Sequence, residues 1–133
     1  MARAGKRSSS GCPLLDQALA LDAGGREAEA IPLYRRAIAR GLSGEKLHTA
    51  LVCLGSSLRT VGQAHQAVRV LQRARKVFPG DVPVILFLAL AHWDNGQREL
   101  AIRQLGDALI KESKQRRLAS FRGVLGRKYH RIR

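Results

Sequence analysis

The chain has few of the residues on which disulfide-rich and metal-binding proteins depend. Only two of its 133 residues are cysteine, Cys12 and Cys53, too few for a disulfide framework or a four-cysteine metal site. We interpret them as reduced thiols, the usual state in the cytosol. The four histidines show no metal-ligand spacing and belong to no known catalytic motif. We therefore predict that the protein binds no metal or cofactor and is not an enzyme.

Long apolar runs and aromatic residues are also scarce. The longest apolar stretch, from Val82 to Trp93, is shorter than the roughly 18 residues that a membrane span needs, and it is interrupted by Pro83 and His92. Residues 1–11 are basic and serine-rich without the apolar core of a secretory signal. Aromatic residues make up only 5% of the chain, which favours packed helices over strands. We expect a cytoplasmic protein without a membrane anchor.

Positive charge, in contrast, is abundant and concentrated at the two ends. The net charge is +14, of which Arg3, Lys6 and Arg7 contribute +3. From Lys111 onward, nine lysines and arginines face a single acidic residue, Glu112, and contribute +8. The 103 residues between these ends carry only +3, so the sequence describes a nearly balanced body with basic ends.

A register of small residues occurs three times and predicts repeated pairs of helices. Each copy has a glycine, an alanine five residues later, then Tyr or Leu four residues on, and a second alanine three further. The copies begin at Gly25, Gly62 and Gly96, which are 37 and 34 residues apart. Such periods are typical of helix–turn–helix repeats, which bury their apolar faces by stacking on their neighbours.

Apolar residues at three- and four-residue spacing predict about seven helices joined by short turns. We therefore expect an all-α chain, an α-solenoid of antiparallel helix pairs. The last helix would cap the apolar end of the array through Leu118, Phe121 and Leu125. The predicted divisions are a disordered basic arm at 1–12, three repeats at 13–44, 45–81 and 82–113, and a basic amphipathic capping helix with a tail at 114–133.

The register resembles the tetratricopeptide repeat (TPR), whose motif places small residues where the two helices of a pair meet. The middle copy matches nearly throughout; the third has Ser113 where the motif asks for proline, and the first departs at Gln17 and Leu42. Three repeats with a final helix are also similar to short stand-alone bacterial proteins of this family. The positions expected to hold the pairs together are Ala18, Gly25, Ala30, Tyr34, Ala37, Leu54, Gly55, Leu58, Gly62, Ala67, Ala74, Pro79, Leu88, Ala89, Gly96, Ala101 and Ala108.

The resemblance implies a scaffold or adaptor that binds a partner protein or peptide. In this family the first helix of each pair lines a concave groove. The predicted groove residues are Val52, Cys53, Ser56, Arg59, Leu86, Phe87, Leu90, Trp93 and Asp94. Because the fifth predicted helix is apolar on nearly all sides, something must cover it. A partner segment, the last helix, the N-terminal arm and a second copy of the chain are all open alternatives.

The basic C-terminal end supports an alternative function, binding to nucleic acid or to an acidic protein. Nine cations in the last 23 residues suit non-specific contact with phosphates, with an affinity that falls steeply as salt rises. No recognised RNA- or DNA-reading motif accompanies them. The predicted basic patch consists of Lys114, Arg117, Arg127, Lys128 and Arg131.

Overall fold

The computed structural model describes the backbone of residues 2–132 and the side chains of residues 11–132. Within that range the chain is helical and has no strand, so the all-α prediction is confirmed. The helices are α1 (Ala2–Ala23), α2 (Glu27–Ala39), α3 (Gly44–Thr60), α4 (Ala64–Val77), α5 (Val82–Asp94), α6 (Arg98–Glu112) and α7 (Arg122–His130). A 3₁₀ turn, Arg116–Leu118, lies between α6 and α7.

Consecutive helices pack in two layers. Helix α1 pairs with α2, α3 with α4 and α5 with α6, and each pair packs against the next. The first helices of the pairs, α1, α3 and α5, also contact one another, and we call them the inner layer. The second helices, α2, α4 and α6, form an outer layer whose members make few contacts with each other. Gaps therefore open between helices on the outer side of the solenoid.

Glycine ends each inner helix because the turn requires a left-handed residue. Gly25, Gly62 and Gly96 have φ angles of 76°, 85° and 80°, which residues with a Cβ rarely adopt. At the second turn, the amide of Gln63 donates to the carbonyl of Leu58 at 2.8 Å, and the other two turns repeat this bond. The spacing of the three glycines in the sequence therefore reflects three copies of one turn.

Close helix packing explains the small residues inside the pairs. A Cβ placed on Gly55 of α3 would lie only 2.5 Å from Cγ of Leu71 on α4. Ala67 and Ala74 of α4 are fully buried in the same region. Larger side chains at these positions would push the two helices apart, because protein interiors are already close-packed.

A hydrogen-bonded cluster joins the first three helices. The Tyr34 hydroxyl of α2 donates to Oδ2 of Asp22 on α1 at 2.7 Å, and the Ser57 hydroxyl of α3 donates to the same oxygen at 3.0 Å. Burial, together with the bond to Asp22, raises the pKa of Tyr34. The phenol therefore stays protonated and acts as a donor. This cluster fixes the first repeat against the second.

The N-terminus differs from the predicted disordered arm at residues 1–12. Helix α1 begins at Ala2 and continues through Pro13. Gly11 explains how the early part of the helix is held: it is buried, and a Cβ there would lie 2.7 Å from the carbonyl oxygen of Ala37 and 2.9 Å from Leu42. The lack of a side chain lets α1 pack closely on the end of α2. Met1 and the side chains of residues 2–10, with their three cations, lie outside the described part.

The C-terminal end also differs from the prediction of one continuous capping helix. The chain is extended at Ser113 and Gln115, and α7 begins only at Arg122. The Arg122 guanidinium donates to the main-chain carbonyls of Ile110 and Ser113, which would otherwise lack partners at the end of α6. Phe121, expected to pack on α6, is instead 60% exposed.

Tyr129 makes the contact that was assigned to Phe121. Its ring lies so close to α6 that a Cβ on Gly106 would overlap it. Leu118 and Leu125, as expected, line the cleft between α6 and α7, together with Leu109. Helix α7 therefore covers one face of α6, and a glycine permits the approach.

Candidate partner-binding surface

The part of the predicted groove on α3 offers little free surface. Val52 is buried, and Cys53, Ser56 and Arg59 are half-buried. Burial raises the pKa of the Cys53 thiol, so it stays protonated and unreactive. Arg59 Nε forms an ion pair with Asp94 Oδ2 of α5 at 2.5 Å. Two of the predicted polar groove residues, Arg59 and Asp94, thus bind each other and link α3 to α5.

The part of the predicted groove on α5 is different, because its residues are apolar and exposed. Leu86, Leu90 and Trp93 are exposed and lie beside Ile102 and Leu105 of α6. Together with Ala89 and Ala101, these residues line a hollow of about 410 Å³, which we call the trough. Sequence reasoning assigned the three α5 residues to the groove but missed the α6 wall. Phe87, also assigned to the groove, is half-buried and packs against the core.

Comparison of the three repeats explains why the trough exists. In the middle repeat, Val52, Val68 and Leu71 are 8%, 6% and 0% exposed. In the third repeat, the corresponding Leu86, Ile102 and Leu105 are 49%, 42% and 39% exposed. The equivalent residues of the first repeat, all buried, are Leu15, Ile31 and Tyr34. Each of the first two repeats thus presents an apolar socket that the next inner helix fills. In the third repeat this socket is open, and it is the trough.

Helix α7 follows the third repeat but does not fill this socket. It contacts α6 through Gly106 and the carbonyl of Ile110, and Arg103 of α6 donates to the carbonyl of Ile132 at 3.4 Å. These α6 contacts lie on the side of the helix next to Ile102 and Leu105, and no residue of α7 lines the trough. The predicted cap therefore protects the side of α6 and leaves the end of the array exposed.

A family model described as "Tetratrico peptide repeat" matches residues 11–122, most of the chain. The chain belongs to the tetratricopeptide repeat family. No curated protein matches it significantly. The repeats of the family model and the three helix pairs of the structure cover the same part of the chain, and the family is one of protein-interaction modules.

Within this TPR protein, α5 shows what kind of segment fills such a socket. Val84, Leu88 and Ala91 of α5 are buried against the second repeat. Val84 packs with Val52, and the other two residues belong to the cluster that contains Leu71. Their spacing of four and three residues is that of one face of a helix. The socket therefore accepts a helix with two apolar residues and one small residue on its buried face.

The surroundings of the trough are weakly charged. The guanidinium of Arg98 lies 5.0 Å from the centre of the Trp93 ring, a cation–π arrangement. Asp94, at the end of α5, is already paired with Arg59. A partner in the trough would therefore meet mainly apolar atoms and one accessible cation.

The predicted basic patch lies on the 3₁₀ turn, the extended segment before it, α7 and the residue that follows α7. Its members are all exposed, and none takes part in an ion pair with another residue in the 11–132 range: Lys114, Arg117, Arg127, Lys128 and Arg131. We call this set the terminal basic segment. Its side chains are available to an anionic partner.

The His48–Asp81 pair, which could suggest catalysis, has a structural role. Asp81 Oδ2 contacts His48 Nε2 at 2.8 Å and accepts the amide of Val84 at 3.0 Å, and so caps α5. Burial opposes the charged carboxylate, but the bonds from His48 and Val84 outweigh it and hold the pKa of Asp81 below its ordinary value.

Among the described residues, no three histidine, cysteine or acidic side chains are grouped closely enough to hold a metal ion. None of the described helices is long and apolar enough to cross a bilayer.

Proposed function

We propose that this TPR protein binds an amphipathic helix of a partner protein in the trough. The single observation that carries the proposal is the exposure of Leu86, Ile102 and Leu105, whose equivalents in both earlier repeats are buried beneath a following helix. A surface built to receive a helix and left open is a typical helix-in-groove site.

Helix α5 indicates the sequence that the partner should have. Its buried face carries Val84, Leu88 and Ala91, so we expect a partner helix with apolar residues at positions i and i+4 and a small residue at i+7. The small residue is needed because Ala89 and Ala101 at the bottom of the trough bring α5 and α6 close together. The opposite face of the partner helix would stay in water and be polar.

Trp93 is expected to contribute most to the affinity. It is the only tryptophan in the chain and lies half-exposed at the edge of the trough. Buried tryptophans are common hot spots, and truncation of one typically costs at least about 2 kcal/mol, or roughly 30-fold in Kd. Its fluorescence should also shift to shorter wavelength when a partner excludes water from the indole, which gives a direct assay.

The test compares charged substitutions inside and outside the trough. Leu86→Glu with Ile102→Glu should abolish capture of the partner, because two carboxylates would lose water without gaining a hydrogen-bond partner. Val77→Glu, at an equally exposed apolar position at the end of α4, is the matched control and should bind normally. Phe87 is a poor choice for such a test because its loss would disturb the core.

The salt dependence of partner binding distinguishes docking in the trough from an electrostatic mechanism. Docking of an apolar helix face should change little between low and physiological salt, since few charges are involved. Equal capture by the Leu86→Glu, Ile102→Glu protein and the wild type would contradict the proposal. If the wild type is instead a dimer in light scattering and the double substitution makes it a monomer, the occupant of the trough is a second copy.

A second candidate function is binding of nucleic acid or an acidic protein by the terminal basic segment. The exposure of its five cations, none of which forms an ion pair within residues 11–132, supports this alternative. Arg127→Glu with Arg131→Glu should then abolish binding while the trough substitutions leave it intact. A pull-down with and without nuclease would show which partners depend on nucleic acid.

A further inference from the structure

The outer layer contains a groove that the charge count of the sequence does not reveal. It runs between α2 and α4, where two adjoining hollows of about 560 Å³ and 270 Å³ share Arg35, Val70 and Arg73. His65, Gln66 and Arg69 complete the wall of the larger one. Leu51 and Leu54 of α3, which are themselves buried, form the floor of the smaller one. We call these two hollows the outer groove.

The lining of the outer groove carries positive charge and no negative charge. Three arginines, Arg35, Arg69 and Arg73, line it, and none of the lining residues is acidic. Helix α4 contains four cations and no Asp or Glu anywhere in its 14 residues. The nine acidic residues between residues 8 and 110 therefore lie on other helices and turns, although this part of the chain as a whole is nearly balanced.

The three arginines are not used for folding through ion pairs. Arg35 Nη2 of α2 donates to Gln66 Oε1 of α4 at 2.6 Å, a bond across the groove. Within residues 11–132, neither Arg69 nor Arg73 forms an ion pair. Like charges four residues apart, as in Arg69 and Arg73, destabilise a helix. An anionic ligand would offset this repulsion.

We propose that the outer groove binds the phosphodiester backbone of nucleic acid. Guanidinium groups pair with phosphate oxygens through two parallel hydrogen bonds. Arg69 and Arg73 are separated by about 6 Å along the helix axis, close to the distance between neighbouring phosphates of one strand. The lining has no Phe, Tyr or Trp on which bases could stack, its single aromatic ring is the His65 imidazole, and Gln66 is occupied by Arg35. The contact is therefore to the backbone, without preference for base sequence.

Nucleic acid suits the charge distribution better than an acidic peptide does. The cations are spread over the outer groove and the terminal basic segment, which fits a long polymer with one charge per residue. A short acidic peptide would use one site only. The sequence pI of about 11.4 also favours approach to a polyanion.

The experiment measures binding of a labelled single-stranded oligonucleotide by fluorescence anisotropy over a range of salt concentrations. Each lost phosphate contact reduces the slope of log K against log salt by about 0.7, so Arg69→Gln with Arg73→Gln should reduce it by about 1.4. The control, Arg26→Gln with Arg98→Gln, removes the same charge from outside the groove and should leave the slope unchanged. Circular dichroism should show all proteins equally folded, because these side chains are exposed.

Three outcomes would overturn the proposal: no binding by the wild type, equal losses in the Arg69, Arg73 variant and its control, or displacement of the oligonucleotide by polyglutamate at equal charge concentration. The last result would identify an acidic protein as the ligand. Leu86→Glu with Ile102→Glu should bind the oligonucleotide as the wild type does, which separates this test from that of the trough.

Discussion

Gly55→Ala should destabilise the protein, although alanine is normally the better residue in a helix. A methyl group at this position would lie 2.5, 2.7 and 2.8 Å from three carbons of Leu71. Ordinary carbon contacts are about 3.5–4.0 Å, so the overlap is about 1 Å with a side chain that is fully buried. Overpacking of this kind costs about 1–3 kcal/mol.

The net effect is the overpacking cost less the gain in helix propensity. Replacement of glycine by alanine inside a helix contributes about 1 kcal/mol. Because all the terminal carbons of Leu71 are affected, we expect a cost near the upper limit and a net loss of about 2 kcal/mol, or roughly 6–10 °C in Tm. Gly126→Ala is the matched control, since nothing lies within 4 Å of a Cβ there, and it should be neutral or stabilising.

Urea denaturation followed by circular dichroism measures both changes, and a double-mutant cycle identifies the cause. Leu71→Ala alone should cost about 2–5 kcal/mol through the cavity that it leaves. In that background Gly55→Ala should no longer destabilise, so the two changes should couple by about 2–3 kcal/mol. Additivity within about 0.5 kcal/mol, or equal effects of Gly55→Ala and Gly126→Ala, would refute the close approach of α3 and α4.

Three further predictions use the same methods. Ala67→Trp should unfold the protein or lower its Tm by well over 10 °C, because the site is fully buried, and an unchanged Tm would contradict the repeat register. Gly106→Ala should displace Tyr129 and speed hydrogen exchange in α7 but not in α3; equal exchange would show that Tyr129 does not hold α7. Asp81 has a lowered pKa when folded, so its contribution is present above about pH 4 and is lost as pH falls through that lowered pKa. The stability gap between wild type and Asp81→Asn should therefore close in acid, and a constant gap would argue against the bond with His48.

The two proposed binding sites lie on different parts of the solenoid. The trough is formed by α5 and α6, and the outer groove by α2 and α4, with a floor from α3. No lining residue is common to both. A protein with both activities would attach a partner helix to nucleic acid, as an adaptor does.

Several features of the fold were predictable because they depend on short segments of chain. The three turns need glycine for its left-handed backbone, so the spacing of Gly25, Gly62 and Gly96 in the sequence marks the repeats directly. The position of the seventh helix was harder to predict, because it depends on Arg122 reaching the end of α6 and on Tyr129 packing against Gly106. Neither contact leaves a periodic pattern.

The sequence by itself determined the helix pairs, their order and the apolar character of α5, since each follows from local spacing and side-chain size. Only the tertiary structure decided which apolar residues stay exposed. Leu71 and Leu105 occupy the same position of the motif, yet one is buried and the other exposed because only the first has a following inner helix above it. It also decided where charge accumulates: packing gathers Arg35, Arg69 and Arg73 around one groove that no carboxylate lines, and the net charge of the sequence does not show this.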